Sequence, residues 1–158
     1  MATYNRTVTG GGTVGHPSNA AVPYVVTSPV WDCADGGTGG DIVQLIDVPA
    51  DTMIIAGCLE VLEAAGNGQI TMDIGFTGGD VDCFVDGSAC AAGFTPFLEA
   101  AVGASGANAR MLTSADTIDA LILDAGSSGE SALRFRIHVV MVDVSVNPVE
   151  SATVSTGT

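Results

Sequence analysis

The chain has 158 residues, enough for one domain that buries roughly 70% of the surface its unfolded form exposes, so it needs no disulfide or metal staple. Eighteen carboxylates face four arginines and no lysine, a formal charge of −14. That balance excludes nucleic-acid binding driven by counterion release, and the missing lysine excludes Walker A phosphate binding, Schiff bases and pyridoxal phosphate chemistry.

Many Gly, Thr, Val and Ala residues, few charges and no extended heptads predict an all-β fold, an antiparallel β-sandwich rich in turns. The N-terminus lacks a charged-then-apolar signal pattern, and no run reaches the ~18 apolar residues of a spanning helix. We therefore expect a soluble protein made in a cytosol, in which the sequon at Asn5-Arg6-Thr7 is incidental.

Residues 1–40 read as an extended N-terminal arm and loop. Gly10-Gly11-Gly12, His16-Pro17, Val22-Pro23 and Ser28-Pro29 break any helix and leave isolated large side chains, Tyr4, Tyr24 and Trp31. Such a segment has no core of its own, so it must lie on the domain or reach for a partner.

The sandwich is expected over residues 41–146. Its first strand, Asp41 to Val48, sets Val43 and Leu45 on one side and Ile42, Gln44 and Ile46 on the other. Next, Asn67-Gly68 supplies the positive φ angles of a two-residue hairpin turn between two alternating runs. That register pairs Val61 with Ile74 and Leu59 with Phe76, and it leaves one misfit, Glu63 against Met72. Ile70, Met72, Ile74 and Phe76 share the apolar face of the second strand.

A short strand at Val81 to Val85 and a turn at Asp86-Gly87 follow. Residues 88–110 are the least regular part, a long surface loop with one helical turn at Phe97 to Val102 opened by Pro96. Thr117 to Asp124 is apolar on both faces and therefore central. Ser131 to Val144 is expected to be the longest strand, with Leu133, Phe135, Ile137, Val139 and Met141 on one face and Arg134, Arg136 and His138 opening the other. Residues 147–158 form a loose, polar tail.

Chemistry-bearing patterns are sparse. Cys33, Cys58, Cys83 and Cys90 contain no CxxC pair and are read as reduced thiols rather than zinc ligands. Asp80, Asp82 and Asp86 resemble a calcium loop, but the glycine and glutamate that an EF-hand needs are missing. No G-x-S-x-G, H-E-x-x-H or phosphate fingerprint occurs, and no catalysis, metal or cofactor is expected. Were the chain a small hydrolase, Glu60, Glu63 and Asp73 would be its carboxylates. The row Arg134, Arg136, His138 is suited to a charged contact between subunits, because guanidinium forks pair well with carboxylates; its other reading is a solvated row satisfying nearby aspartates.

Val48-Pro49-Ala50-Asp51-Thr52, Gly75-Phe76-Thr77-Gly78-Gly79-Asp80, Phe84-Val85-Asp86-Gly87 and Leu112-Thr113-Ser114-Ala115-Asp116-Thr117-Ile118 together resemble a group of small structural proteins of tailed phages. The resemblance covers residues 41 to 144 and rests on turn chemistry. It implies a jelly-roll-like sandwich and a capsid decoration or cement protein. Such a protein would sit on the capsid exterior, made in the bacterial cytoplasm, and bridge adjacent capsomers. Its partners would be the major capsid protein and further copies of itself as a homotrimer, with no nucleic acid or membrane. Tyr4, Arg6, Tyr24, Trp31, Arg134, Arg136 and His138 are the expected contact residues. The alternative is a tail- or fibre-associated module that binds a receptor or glycan.

Overall fold

The computed structural model describes residues 3–9, 23–35, 39–66, 70–96, 110–123 and 132–145. They form strands β1 (Thr3–Thr9), β2 (Tyr24–Thr27), β3 (Trp31–Asp32), β4 (Ile42–Val48), β5 (Thr52–Glu63), β6 (Thr71–Phe76), β7 (Val85–Ala89), β8 (Gly93–Pro96), β9 (Arg110–Leu112), β10 (Asp116–Leu123) and β11 (Arg134–Asp143), with one 3-10 turn at Cys33–Asp35. A five-stranded sheet runs β1-β4-β10-β6-β7. The second sheet runs β2-β11-β5-β8, with β3 on the β2 side of β11 and β9 beyond β8 along the same side of β5. The chain changes sheet from β1 to β2, β3 to β4, β4 to β5, β5 to β6, β7 to β8, β9 to β10 and β10 to β11. This is the expected all-β, jelly-roll-like sandwich, antiparallel except where β1 runs parallel to β4.

The inner faces follow the alternation of the sequence. Met72, Ile74 and Ile118, Ala120, Ile122 from the first sheet meet Ile54, Leu59 and Phe135, Ile137, Val139 from the second, all fully buried in one cluster. Phe84 closes one end of it, edge-on to Phe76 at 5.1 Å between ring centroids, a favoured aromatic geometry. As expected, β10 is central, between β4 and β6.

The hairpin at Asn67-Gly68 is not formed as expected. Residues 67–69 lie outside the described residues, but β5 and β6 belong to different sheets. Val61 pairs with Phe135 and Gly93, and Leu59 with Ile137 and Thr95. Ile74 pairs with Ala120 and Val85. The two runs stack face to face across the core instead of side by side, so their apolar faces bury each other. The Glu63 misfit disappears, because its partner is Arg134.

Bulges account for further departures. Ile118 pairs with Ile46 but Asp119 with Gln44, so Leu45 is an extra residue that reverses the alternation; Leu45 and Ile46 are both in the core. The strand expected at Val81 to Val85 is a loop up to Phe84, and Asp86-Gly87 lies inside β7. Gly87 has φ +61°, and its N–H donates to Asp73 Oδ1 at 2.7 Å, so glycine here makes a bulge rather than a turn. Residues 88–96 contribute to β7 and β8, while the helical turn expected at Phe97 to Val102 and the tail from 147 lie outside the described residues. Among those described, β5 at 12 residues exceeds β11 at 10.

The loop over residues 77–84 folds back on the outer side of β6, where Phe76 N–H donates to Asp80 O and Phe84 N–H to Ile74 O, both at 2.9 Å. A Cβ on Gly75 would stand 2.3 Å from Asp80 O, so this approach of two backbones requires glycine. The described part of the segment expected as an arm lies on the domain. β1 edges the first sheet, β2 edges the second, and Ser28 locks onto β11 through Ser28 N–H to Ile137 O at 2.9 Å and Ile137 N–H to Ser28 Oγ at 3.0 Å.

Candidate contact surface

The expected contact residues fall into three environments. Tyr4 and Arg6 are on the edge strand β1, where Tyr4 sits opposite Val43. Trp31, expected to face a partner, is 3% exposed and part of the core. Its pairing with Phe135 on β11 turns it inward, since an indole surrounded by apolar side chains gains most from burial. Tyr24 is half-buried at the start of β2; burial, followed by the charge of Asp143, raises its phenol above the ordinary value, and a hydrogen bond with Thr52 opposes this.

Arg134, Arg136 and His138 project from the outward side of β11, as the alternation requires, and are brought together with acids of their own chain. Arg136 Nε donates to Glu60 Oε2 at 2.5 Å, and His138 Nε2 donates to the same oxygen at 2.9 Å. His138 Nδ1 meets Thr27 Oγ1 at 2.9 Å. Arg134 Nε lies 3.3 Å from Asp32 Oδ2, with Glu63 at 3.9 Å. The hydrogen bonds from Arg136 and His138 hold the Glu60 carboxyl below its usual range. Both hydrogen-bond donors favour its ionised form.

The cations are therefore already matched, and beyond Thr27 the rows that flank them are mainly apolar. Registers place Thr27, His138, Cys58 and Pro96 in one row, Val25, Val140 and Ala56 in another, and Val142, Met53 and Met111 in a third. Phe94 stands beside Glu60. Phe94 is 69% exposed, Val25 67% and Met111 58%, so most of the exposed large apolar side chains among the described residues lie on this one face. The sequence did not single them out, because Val25, Phe94 and Met111 each sit in short runs without a readable period.

The acids elsewhere do not converge. Glu60 and Glu63 lie on the outer side of the second sheet, whereas Asp73 lies on the first, bonded to Gly87 of β7. Burial raises the Asp73 carboxyl, against the hydrogen bond from Gly87. The hydrolase arrangement of Glu60, Glu63 and Asp73 is thus not assembled. Asp82 is raised chiefly by its hydrogen bond with Asp80, and among the described residues no three His, Cys, Asp or Glu side chains are placed to hold a metal ion. Asp119 is 4% exposed. Its Oδ2 accepts from the Thr77 N–H at 2.9 Å and from the Thr77 hydroxyl, its Oδ1 has no hydrogen-bond partner, and burial pushes it up to about 6. It ties the 77–84 loop to β10.

No protein-family model matches the chain, and no curated protein matches it in sequence. Among solved structures the sandwich is similar to a chain in the acid-stable capsid structure of Helicobacter pylori bacteriophage KHP30, at 15% identity and TM-score 0.56 over 77% of this chain and 88% of that one. A chain of the cyanophage Pam1 capsid asymmetric unit matches at 14% identity and TM-score 0.58, over 77% and 85%. A chain from the capsid of Ralstonia phage GP4 matches at 14% identity and TM-score 0.56, over 82% and 88%. At these identities the likeness is one of fold.

Proposed function

We propose that this chain is a non-enzymatic structural protein of a phage virion, a decoration or cement protein bound to the outside of the head. The observation that carries this reading is the match to chains in three phage capsid structures, over 77–82% of this chain and 85–88% of theirs. The coverages make each neighbour chain shorter than this one, so the likeness is between whole small proteins rather than to a fragment of a large one. The turn motifs over residues 41 to 144 point the same way independently of the coordinates.

In this role the protein bridges adjacent capsomers of the major capsid protein, and self-association into a homotrimer multiplies modest contacts into strong attachment. The candidate contacts are Tyr4, Arg6 and Tyr24 on the edge strands, with Arg134, Arg136 and His138 on the outer face of the second sheet. Trp31 drops out because it is buried. The strongly acidic surface keeps copies apart until a specific face is engaged. Copy number per particle tests the reading: mass spectrometry of purified virions is expected to find this chain in numbers comparable to the capsid protein. A handful of copies per particle would assign it to the tail or fibres instead.

A further inference from the structure

We infer that the outward face of the second sheet is the surface through which one copy of this chain seats on another, and that its apolar half, not its arginines, supplies the attraction. Val25, Phe94 and Met111 are each more than half exposed there, and Met53, Val140 and Ala56 fill the space between them. The whole face, ion pairs included, has four strands' width at ~4.8 Å spacing and a ten-residue length at ~3.3 Å per residue, an area on the order of 600 Å². That reaches the lower end of what each partner buries in a stable interface.

Charge selects a second copy as the occupant. On this face Asp32, Glu60 and Glu63 are set against Arg134 and Arg136, three carboxylates and two guanidiniums, a balance of one negative charge with His138 neutral. Among the described side chains fourteen carboxylates and two guanidiniums leave −12, so all but one of those negative charges lie outside this set of ion pairs. Two acidic chains meeting on any other side set carboxylate against carboxylate within the ~8–10 Å over which salt leaves charges visible. Here the acids are already neutralised by their own arginines, so the pairs add no repulsion at the contact. This rests on the self-association proposed above, and its test is distinct from that of the chain's place in a virion.

Sedimentation equilibrium of the full-length protein over a range of concentrations, at low and high salt, tests the inference. The wild type is expected to exceed monomer mass, and high salt is expected to strengthen the association, because it screens repulsion without weakening apolar contact. Phe94→Glu and Met111→Glu are each expected to weaken association at least tenfold with unchanged circular dichroism, while Ala89→Glu, exposed on the first sheet, leaves it intact. Should a glutamate variant fail to fold, Phe94→Ser and Val25→Ser provide the same reading. A monomer at every concentration, variants that associate like the wild type, or association that salt dissolves would overturn the inference. So would a monomeric wild type whose Phe94→Glu variant loses binding to phage heads, since the face would then belong to the shell.

Discussion

Replacing Asp119 by Asn tests how the buried carboxyl responds to pH. In the folded chain Asp119 titrates near 6 rather than 3.8, because burial penalises its charged form. A folded value above the unfolded one means that the native state holds the proton more tightly, so stability rises as pH falls through that window. The difference is about 2 units, or ~3 kcal/mol between the fully ionised and fully protonated limits. For a chain of this length that corresponds to about 6–12 °C in melting temperature. Asn cannot titrate, so the variant lacks this contribution. The amide also places an N–H₂ group where Oδ1 has no partner, a cost that is constant with pH and cancels from the slope. Asp73 and Asp82, also raised, remain in both proteins. Urea unfolding at several values between about pH 7 and about pH 4 should give wild-type stability that climbs relative to Asp119→Asn by ~3 kcal/mol. Parallel curves, or a wild type that falls behind as the solution is acidified, would refute the reasoning.

On β6, under the 77–84 loop, Gly75→Ala is expected to cost ~3 kcal/mol or prevent folding, because the new methyl meets backbone that cannot turn aside. Gly79→Ala, whose Cβ would have nothing nearer than 3.9 Å, is expected to stay within ~0.5 kcal/mol of the wild type in the same urea titration. Glu60→Gln should lower the urea midpoint at neutral pH. Because the folded Glu60 carboxyl is depressed, its contribution is present above the unfolded value and lost as pH falls through the folded one, so the variant's disadvantage should vanish in acid. Deleting residues 1–30 removes β2 and the Ser28 bonds to Ile137 and should lower the melting temperature by more than deleting residues 1–9, which removes only β1. Circular dichroism melts of the two truncations check this.

Much of the fold was legible because alternation reports which side of a strand is buried. Ile70 to Phe76, Leu133 to Met141 and the two-sided run at Thr117 to Leu123 all sit as their periodicity requires. Alternation does not report where a strand's hydrogen bonds go. Leu59 and Val61 bury the same faces whether β5 lies beside β6 or across the core from it, and Asn67-Gly68 favoured the wrong choice. Bulges hide for the same reason: Leu45 and Gly87 add one residue to a strand, and only the partner strand reveals the extra one. Short edge strands such as β2 and β8 carry too few residues for a period to appear. The cationic row at Arg134, Arg136 and His138 was readable, but its carboxylate partner Glu60 was not, since β5 was assigned to another neighbour. Trp31 looked like an arm residue until its pairing with Phe135 placed it in the core.

The most direct measurement is add-back to phage heads that lack this chain. Purified protein mixed with such heads and sedimented should bind saturably, at a ratio to the capsid protein fixed by the lattice, and should raise the temperature at which the heads open. Heads that pellet without it at any concentration, or binding confined to tails, would contradict a place on the capsid exterior.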